Sequence, residues 1–255
     1  MKNRLPTVWE LPPDPLGGAS GARPFYVLAV GKANSPKFPY TVPNEKIAAE
    51  LGRAIGLRIP EVLLYESKGE WLTFSRMIEQ TDSGEIMPEG TAAEIAQFFE
   101  KNPFELQGMI CFDLYICNND RNAGNFVLGR DGKVRFIDHA NALYYRPTDA
   151  SSAGIPRLES VEADLRSLFD KPYHFVDALT SWNYIDEWCR RISSIPSYFI
   201  RSIIDGLPAP LLSEQEREFL FHFLERRKAA MRSIIYDSRS MFPSLREPKP
   251  EANDD

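Results

Sequence analysis

An α+β fold, with a small strand-rich N-terminal part and a mainly helical C-terminal part, is predicted by two features of this 255-residue chain. Short alternating or β-branched runs separated by turn residues fill the first third, whereas helical periodicity dominates from residue 91 onward. The composition is that of an ordinary globular protein, 43% hydrophobic and 26% charged, long enough for one two-lobed unit or two small domains.

The N-terminal part begins with a proline-rich stretch and then GGASGARP, Gly17–Pro24, before the strand-like PFYVLAV. Glycine-rich backbone followed by a strand can offer N–H groups to phosphates, and Gly18, Ser20 and Gly21 are the candidates. No Gly-Lys-Ser/Thr closes the loop, so it is not a Walker A sequence. Next, Asn44 reads as an N-cap, and Ile47, Ala48, Leu51, Ala54 and Ile55 form one apolar stripe that Gly56 terminates. Glu61–Glu66 and Trp71–Ile78 read as a hairpin around SKGE. Arg76 to Glu79, with Met77, is assigned by fold analogy alone to a hinge between the two parts, where backbone groups would meet the adenine of a nucleotide. Thr91 with Glu94 opens a helix through Glu100, and Asn102-Pro103 opens another that reaches Cys117.

That helix delivers CNNDRNAGNFVLGRDGKVRFIDHANAL, Cys117–Leu143. Asn125 follows Asp120 by five positions, and Asp138 lies thirteen further on, after the apolar run Val134–Ile137. Protein kinases carry H-R-D-L-x-x-x-N and then a strand ending in the Asp of D-F-G, and this spacing is the same. The spacing suits phosphoryl transfer, in which the protein mainly holds nucleotide, Mg²⁺ and acceptor in line. Asp120 is the candidate general base. Asn125 and Asp138 are hard oxygen ligands suited to Mg²⁺. The runs Asn125–Leu128 and Val134–Ile137, joined through Asp131-Gly132, read as a hairpin that places both ligands at the open ends of adjacent strands. A lysine to pair with nucleotide phosphates and with Glu45 is Lys32 or Lys37, and the flanking Pro36 and Pro39 favour Lys32.

Three blocks, N-x-D-R-x-x-x-N from Asn118 to Asn125, F-I-D-H from Phe136 to His139, and NEKIAAELGRAIGLRIPEV from Asn44 to Val62, resemble the HipA-like kinases of bacteria, particularly their compact branch. The resemblance covers most of residues 15–235. It implies a two-lobed protein-kinase-like fold and ATP- and Mg²⁺-dependent phosphorylation, with a Ser or Thr of a protein as the expected acceptor. Asp120, Asn125 and Asp138 take the catalytic positions. Many relatives carry His after the D-R pair where this chain has Asn122, which puts cationic help from that position in question. The expected organisation is an N-terminal extension over 1–14, an N-lobe over 15–80, a C-lobe over 81–241 and a disordered tail over 242–255. The same fold could also serve as a pseudokinase or act on a small molecule or lipid headgroup, and a neutralising partner is left open.

Past Asp138, Tyr144–Pro156 reads as a long polar segment in the activation-segment position, with Ser151 and Ser152 as modification candidates. Helices are expected over Leu158–Phe169, Val176–Ile192, Ser197–Ile204 and Ser213–Tyr236, the last with a Ser213/Glu216 capping box. Glu225, Arg226, Arg227 and Lys228 read as a solvated helix face. A net charge of −6 argues against direct nucleic-acid binding. Cys111, Cys117 and Cys189 lack metal-ligand spacing, so buried thiols in a reducing compartment are expected. Without a signal-peptide pattern or a transmembrane-length apolar run, a cytoplasmic protein away from membranes is expected.

Overall fold

Lys68 and Gly69, both at positive φ (54° and 80°), make a two-residue hairpin turn whose twist matches that of the strands it joins. A computed structural model describes residues 29–76, 100–128, 133–144, 153–169 and 175–246. In it β1 (Ala29–Ala33), β2 (Val62–Ser67) and β3 (Glu70–Arg76) form an antiparallel sheet in the order β1-β3-β2. Register pairs Lys32 with Thr73 and Thr73 with Leu64, so these three share one face with Val62. That face looks inward, with Thr73 and Val62 buried, while Leu63 and Tyr65 on the other face are exposed. Met77, the glycine-rich loop with Gly18, Ser20 and Gly21, Ser151, Ser152 and the Asp131-Gly132 link lie outside the described residues.

Helix α1 (Thr41–Ala54) begins three residues before the expected cap. Pro43 is tolerated in the first turn, where its missing N–H would be unpaired anyway. Asn34 Oδ1 accepts from Val42 N at 2.8 Å and does the capping that was expected of Asn44. Asn44 instead is fully buried and donates to Ala140 O at 2.9 Å. Gly56 (φ 88°) ends the helix as expected, with Leu57 N bonded to Gly52 O at 2.9 Å.

Helix α2 (Pro103–Tyr115) is buried from Leu106 to its end and forms the axis of the helical part. It accepts Trp188 so closely that a Cβ at Gly108 would lie 2.0 Å from the ring. The helix ends two residues before the expected Cys117, which turns the chain at φ 56°. A short hairpin follows, β4 (Phe126–Leu128) with β5 (Val134–Phe136), in the register Phe126↔Phe136.

The C-terminal helices are α3 (Ile155–Ala163), α4 (Trp182–Ser193), α5 (Ser197–Asp205) and α6 (Glu214–Asp237), the last opening on the expected Ser213/Glu216 capping box. Two helices expected to be continuous are broken. The first starts at Ile155 and gives way after Ala163 to a 3₁₀ turn over Leu165–Phe169. The second is interrupted because buried Gln107 Oε1 takes the N–H groups of Thr180 and Ser181 at 3.1 and 2.9 Å. Arg227, expected on a solvated face, is buried and donates twice to Leu114 O at 3.0 and 2.7 Å. Phe242 and Leu245 are buried and Trp182 Nε1 reaches Arg246 O at 2.7 Å, so packing continues into the stretch whose composition predicted a disordered tail. One apolar core runs from the inner face of the sheet through α1 and α2 to α6. Among the described residues no helix is long and apolar enough to cross a membrane.

Candidate active site

The loop between α2 and β4 is too irregular to hold itself, and Arg121 does much of the holding. Its guanidinium is 1% exposed and faces Asp113, with Nε to Oδ2 at 2.9 Å and Nη2 to Oδ1 at 3.0 Å. Its remaining end donates to Ile137 O at 2.7 Å and to Asn125 O at 3.3 Å. A single planar fork therefore ties α2, the loop and the end of β5 together. Ile137 N returns a bond to Asn125 O at 3.0 Å, which sets Asn125 and Asp138 at the open ends of the hairpin. Asn118 adds a bond to Asp113 Oδ1 at 2.8 Å.

Within the loop, Asn125 Nδ2 donates to Asp120 O at 2.7 Å, so the amide oxygen of Asn125 is the end left for a cation. Asn122 is spent locally: its Nδ2 meets Asp120 O at 3.0 Å and its Oδ1 takes Gly124 N at 2.9 Å. At this position the chain has a turn-forming amide and no cation. The carboxylate of Asp120 is half-buried and accepts from Asn141 Nδ2 at 2.6 Å.

Asp138 sits at φ 60°, a left-handed conformation that Asp tolerates better than most side chains and that cancels the strand direction just after β5. Lys32 reaches across from β1 to Asp138 Oδ1 at 2.9 Å and pairs at the same time with Glu45 of α1. Burial works against charge on Lys32, but Glu45 and Asp138 outweigh it and raise the pKa of the ammonium. Burial likewise opposes ionisation of Asp138, yet Lys32 and the Ala140 N–H hold its carboxyl below the usual range. Burial raises the Glu45 carboxyl, against the pull of Lys32. Lys37, the other lysine considered, stacks over the Phe38 ring at 5.3 Å and has no acidic partner among the described residues. His139 is buried and kept neutral by desolvation, with Nδ1 4.0 Å from Glu45 Oε2.

Among the described residues no cluster of three or more His, Cys, Asp or Glu side chains is set to hold a metal ion. The oxygen donors of Asn125 and Asp138 fit a cation such as Mg²⁺, which completes its shell from water and phosphate.

No family model and no curated protein matches the sequence. Among solved structures, the proinflammatory kinase CtkA of Helicobacter pylori aligns with a TM-score of 0.58 and 21% identity, over 88% of this chain and 94% of that one. The chain has a protein-kinase-like fold. A chain of the HipA–HipB toxin–antitoxin complex of Shewanella oneidensis MR-1 with its operator DNA aligns at a TM-score of 0.48 and 16% identity, over 83% of this chain and 60% of that one. The expected protein-kinase-like fold is thus met by the alignment with CtkA.

Lys32 on β1 pairs with Glu45 on α1, Asp120 and Asn125 lie on the loop between α2 and β4, and Asp138 lies just past β5. The sequence reasoning missed Asn141, the second role of Asn44 and the reach of Arg121. Asp113 carried a readable signal for the last, since a carboxylate inside an otherwise apolar helix demands a buried donor. Asn141 carried none, being one more amide in a polar turn.

Proposed function

We propose that this chain is an ATP- and Mg²⁺-dependent HipA-like kinase that transfers a phosphoryl group to a Ser or Thr hydroxyl of a protein. The observation that carries this reading is the Lys32 ammonium held between Glu45 and Asp138, with Asp138 next to Ile137, whose N–H bonds Asn125 O at the end of the Asp120–Asn125 loop. Lys32 is the group that binds nucleotide phosphates, and Glu45 aims it. Asn125 and Asp138 would hold Mg²⁺, which when bound offsets charge on the transferred phosphate. Asp120 takes the proton of the acceptor hydroxyl. Gly18, Ser20, Gly21 and Met77 complete the nucleotide site in this reading.

The test is transfer of labelled γ-phosphate from Mg-ATP to protein, in the chain itself or in a cell extract, for the wild type and Asp120→Ala. Asp120→Ala should keep Mg-ATP affinity and lose transfer by about 10²- to 10⁴-fold, the span of a general base. Equal transfer by both proteins removes the base assignment. Mg-ATP binding without transfer by the wild type replaces the enzyme with a nucleotide-binding module. ATP consumption without labelled protein redirects the acceptor to a small molecule.

A further inference from the structure

Asn141 lies on a turn that is fixed from every side. Ala142 N bonds to His139 O at 3.0 Å, Ala140 O accepts from Asn44 of α1 at 2.9 Å, and Leu143 N reaches Ile116 O at 2.8 Å. Arg157 Nε donates to Leu143 O at 3.2 Å, and Tyr144 Oη donates to Glu216 O at 2.5 Å. Leu143 sits at φ 44°, a strained value for a branched side chain that persists only where the surroundings impose it. The one side-chain donor this turn aims at the catalytic loop is Asn141 Nδ2, 2.6 Å from Asp120 Oδ2. Asp120 Oδ1 is left to meet an acceptor, while the Asp120 main-chain oxygen is already taken by Asn122 and Asn125.

We infer that Asn141 is a positioning residue that fixes the rotamer of Asp120 so that one carboxylate oxygen faces the acceptor hydroxyl; this rests on the kinase reading above. A side-chain amide suits the task because it donates without adding charge next to a carboxylate. An aspartate of the same shape has no proton to donate when ionised and sets a second negative charge against Asp120, so it should be worse than a truncation. A merely structural asparagine gives the opposite order, because the isostere preserves packing and alanine does not.

The experiment uses the full chain with labelled Mg-ATP and dephosphorylated casein, and compares Asn141→Ala, Asn141→Asp, Asp120→Ala and the Asp120→Ala/Asn141→Ala pair. Asn141→Ala should lower kcat by about 10- to 100-fold, as outer partners that orient a reacting group commonly do, with the KM for Mg-ATP unchanged. Asn141→Asp should lower it further. In the Asp120→Ala background, Asn141→Ala should cost nothing more, since two residues acting as one unit are not additive. An Asn141→Asp variant more active than Asn141→Ala, or a full additional loss in the Asp120→Ala background, overturns the inference. Crystal structures of the wild type and Asn141→Ala keep the positioning claim separate from the kinase reading. Should the wild type transfer no phosphate, the kinase reading fails, and the rotamer of Asp120 still decides: one unchanged rotamer in Asn141→Ala overturns the claim, and a displaced or divided carboxylate supports it.

Discussion

Replacing Arg121 by alanine leaves Asp113, which is itself fully buried, as a carboxylate inside an apolar helix. Removing one partner of a buried ion pair costs about 3–5 kcal/mol, well beyond what the pair contributes relative to an apolar replacement. Ile137 O also loses its 2.7 Å donor, which on its own is worth about 1–3 kcal/mol in a buried setting. The 3.3 Å contact to Asn125 O adds little, because that oxygen also accepts from Ile137 N. The two losses overlap, so we expect about 4–6 kcal/mol in all, and at about 2–4 °C per kcal/mol for a chain of this size a fall in Tm of at least 8 °C. Equilibrium urea unfolding and thermal melts followed by circular dichroism measure both. Asp113→Ala combined with Arg121→Ala should recover part of the loss, because no uncompensated charge remains. A single variant within about 1 kcal/mol of wild type, or a double variant less stable than Arg121→Ala, would refute the clamp.

Three further predictions concern separate parts of the fold. Lys32→Ala should weaken Mg-ATP binding by about 10- to 100-fold, the worth of one charge-assisted contact, and Lys37→Ala should leave it unchanged; calorimetric titration reads both, and the reverse order would exchange the two lysines. His139 is held neutral in the folded chain but takes up a proton near 6.5 once unfolded, so stability should fall as pH drops below that value, by at most about 1.4 kcal/mol per pH unit. His139→Phe should flatten that limb in urea titrations between pH 7 and 5 by about this slope, and an unchanged slope would show that other groups carry it. Gly108→Ala should destabilise by about 1–3 kcal/mol or more, because its Cβ would lie 2.0 Å from the Trp188 ring; a neutral result would mean that Trp188 moves freely.

Short-range patterns in the sequence were enough to place several elements and the hairpin that carries Asn125 and Asp138, because hairpin turns, glycine stops and capping boxes act over a few residues. Gly56, Lys68-Gly69 and Ser213 with Glu216 are such cases. The misplaced boundaries have distant causes. Gln107 breaks the chain more than seventy residues away, at Thr180 and Ser181, and Asn34 caps α1 across a turn, which released Asn44 to reach Ala140. In the site, Lys32 could be favoured over Lys37 from proline placement alone, but its contact with Asp138 joins residues far apart in sequence and left no periodic trace. The contact of Asn141 with Asp120 was hidden for the same reason.

The carbonyls around the end of α2 are satisfied by side chains that enter the chain much later. Cys117 O waits for Arg157, forty residues on, and Leu114 O for Arg227, one hundred and thirteen residues on. On a ribosome adding about 5–20 residues per second, Arg227 arrives roughly 6–23 s after Leu114 is made. Until α6 has emerged and docked, the segment leading into the Asp120 loop lacks the donors that fix it. A chain stopped before Arg227 would hold every residue of the site and lack the donor that satisfies Leu114 O at the end of α2.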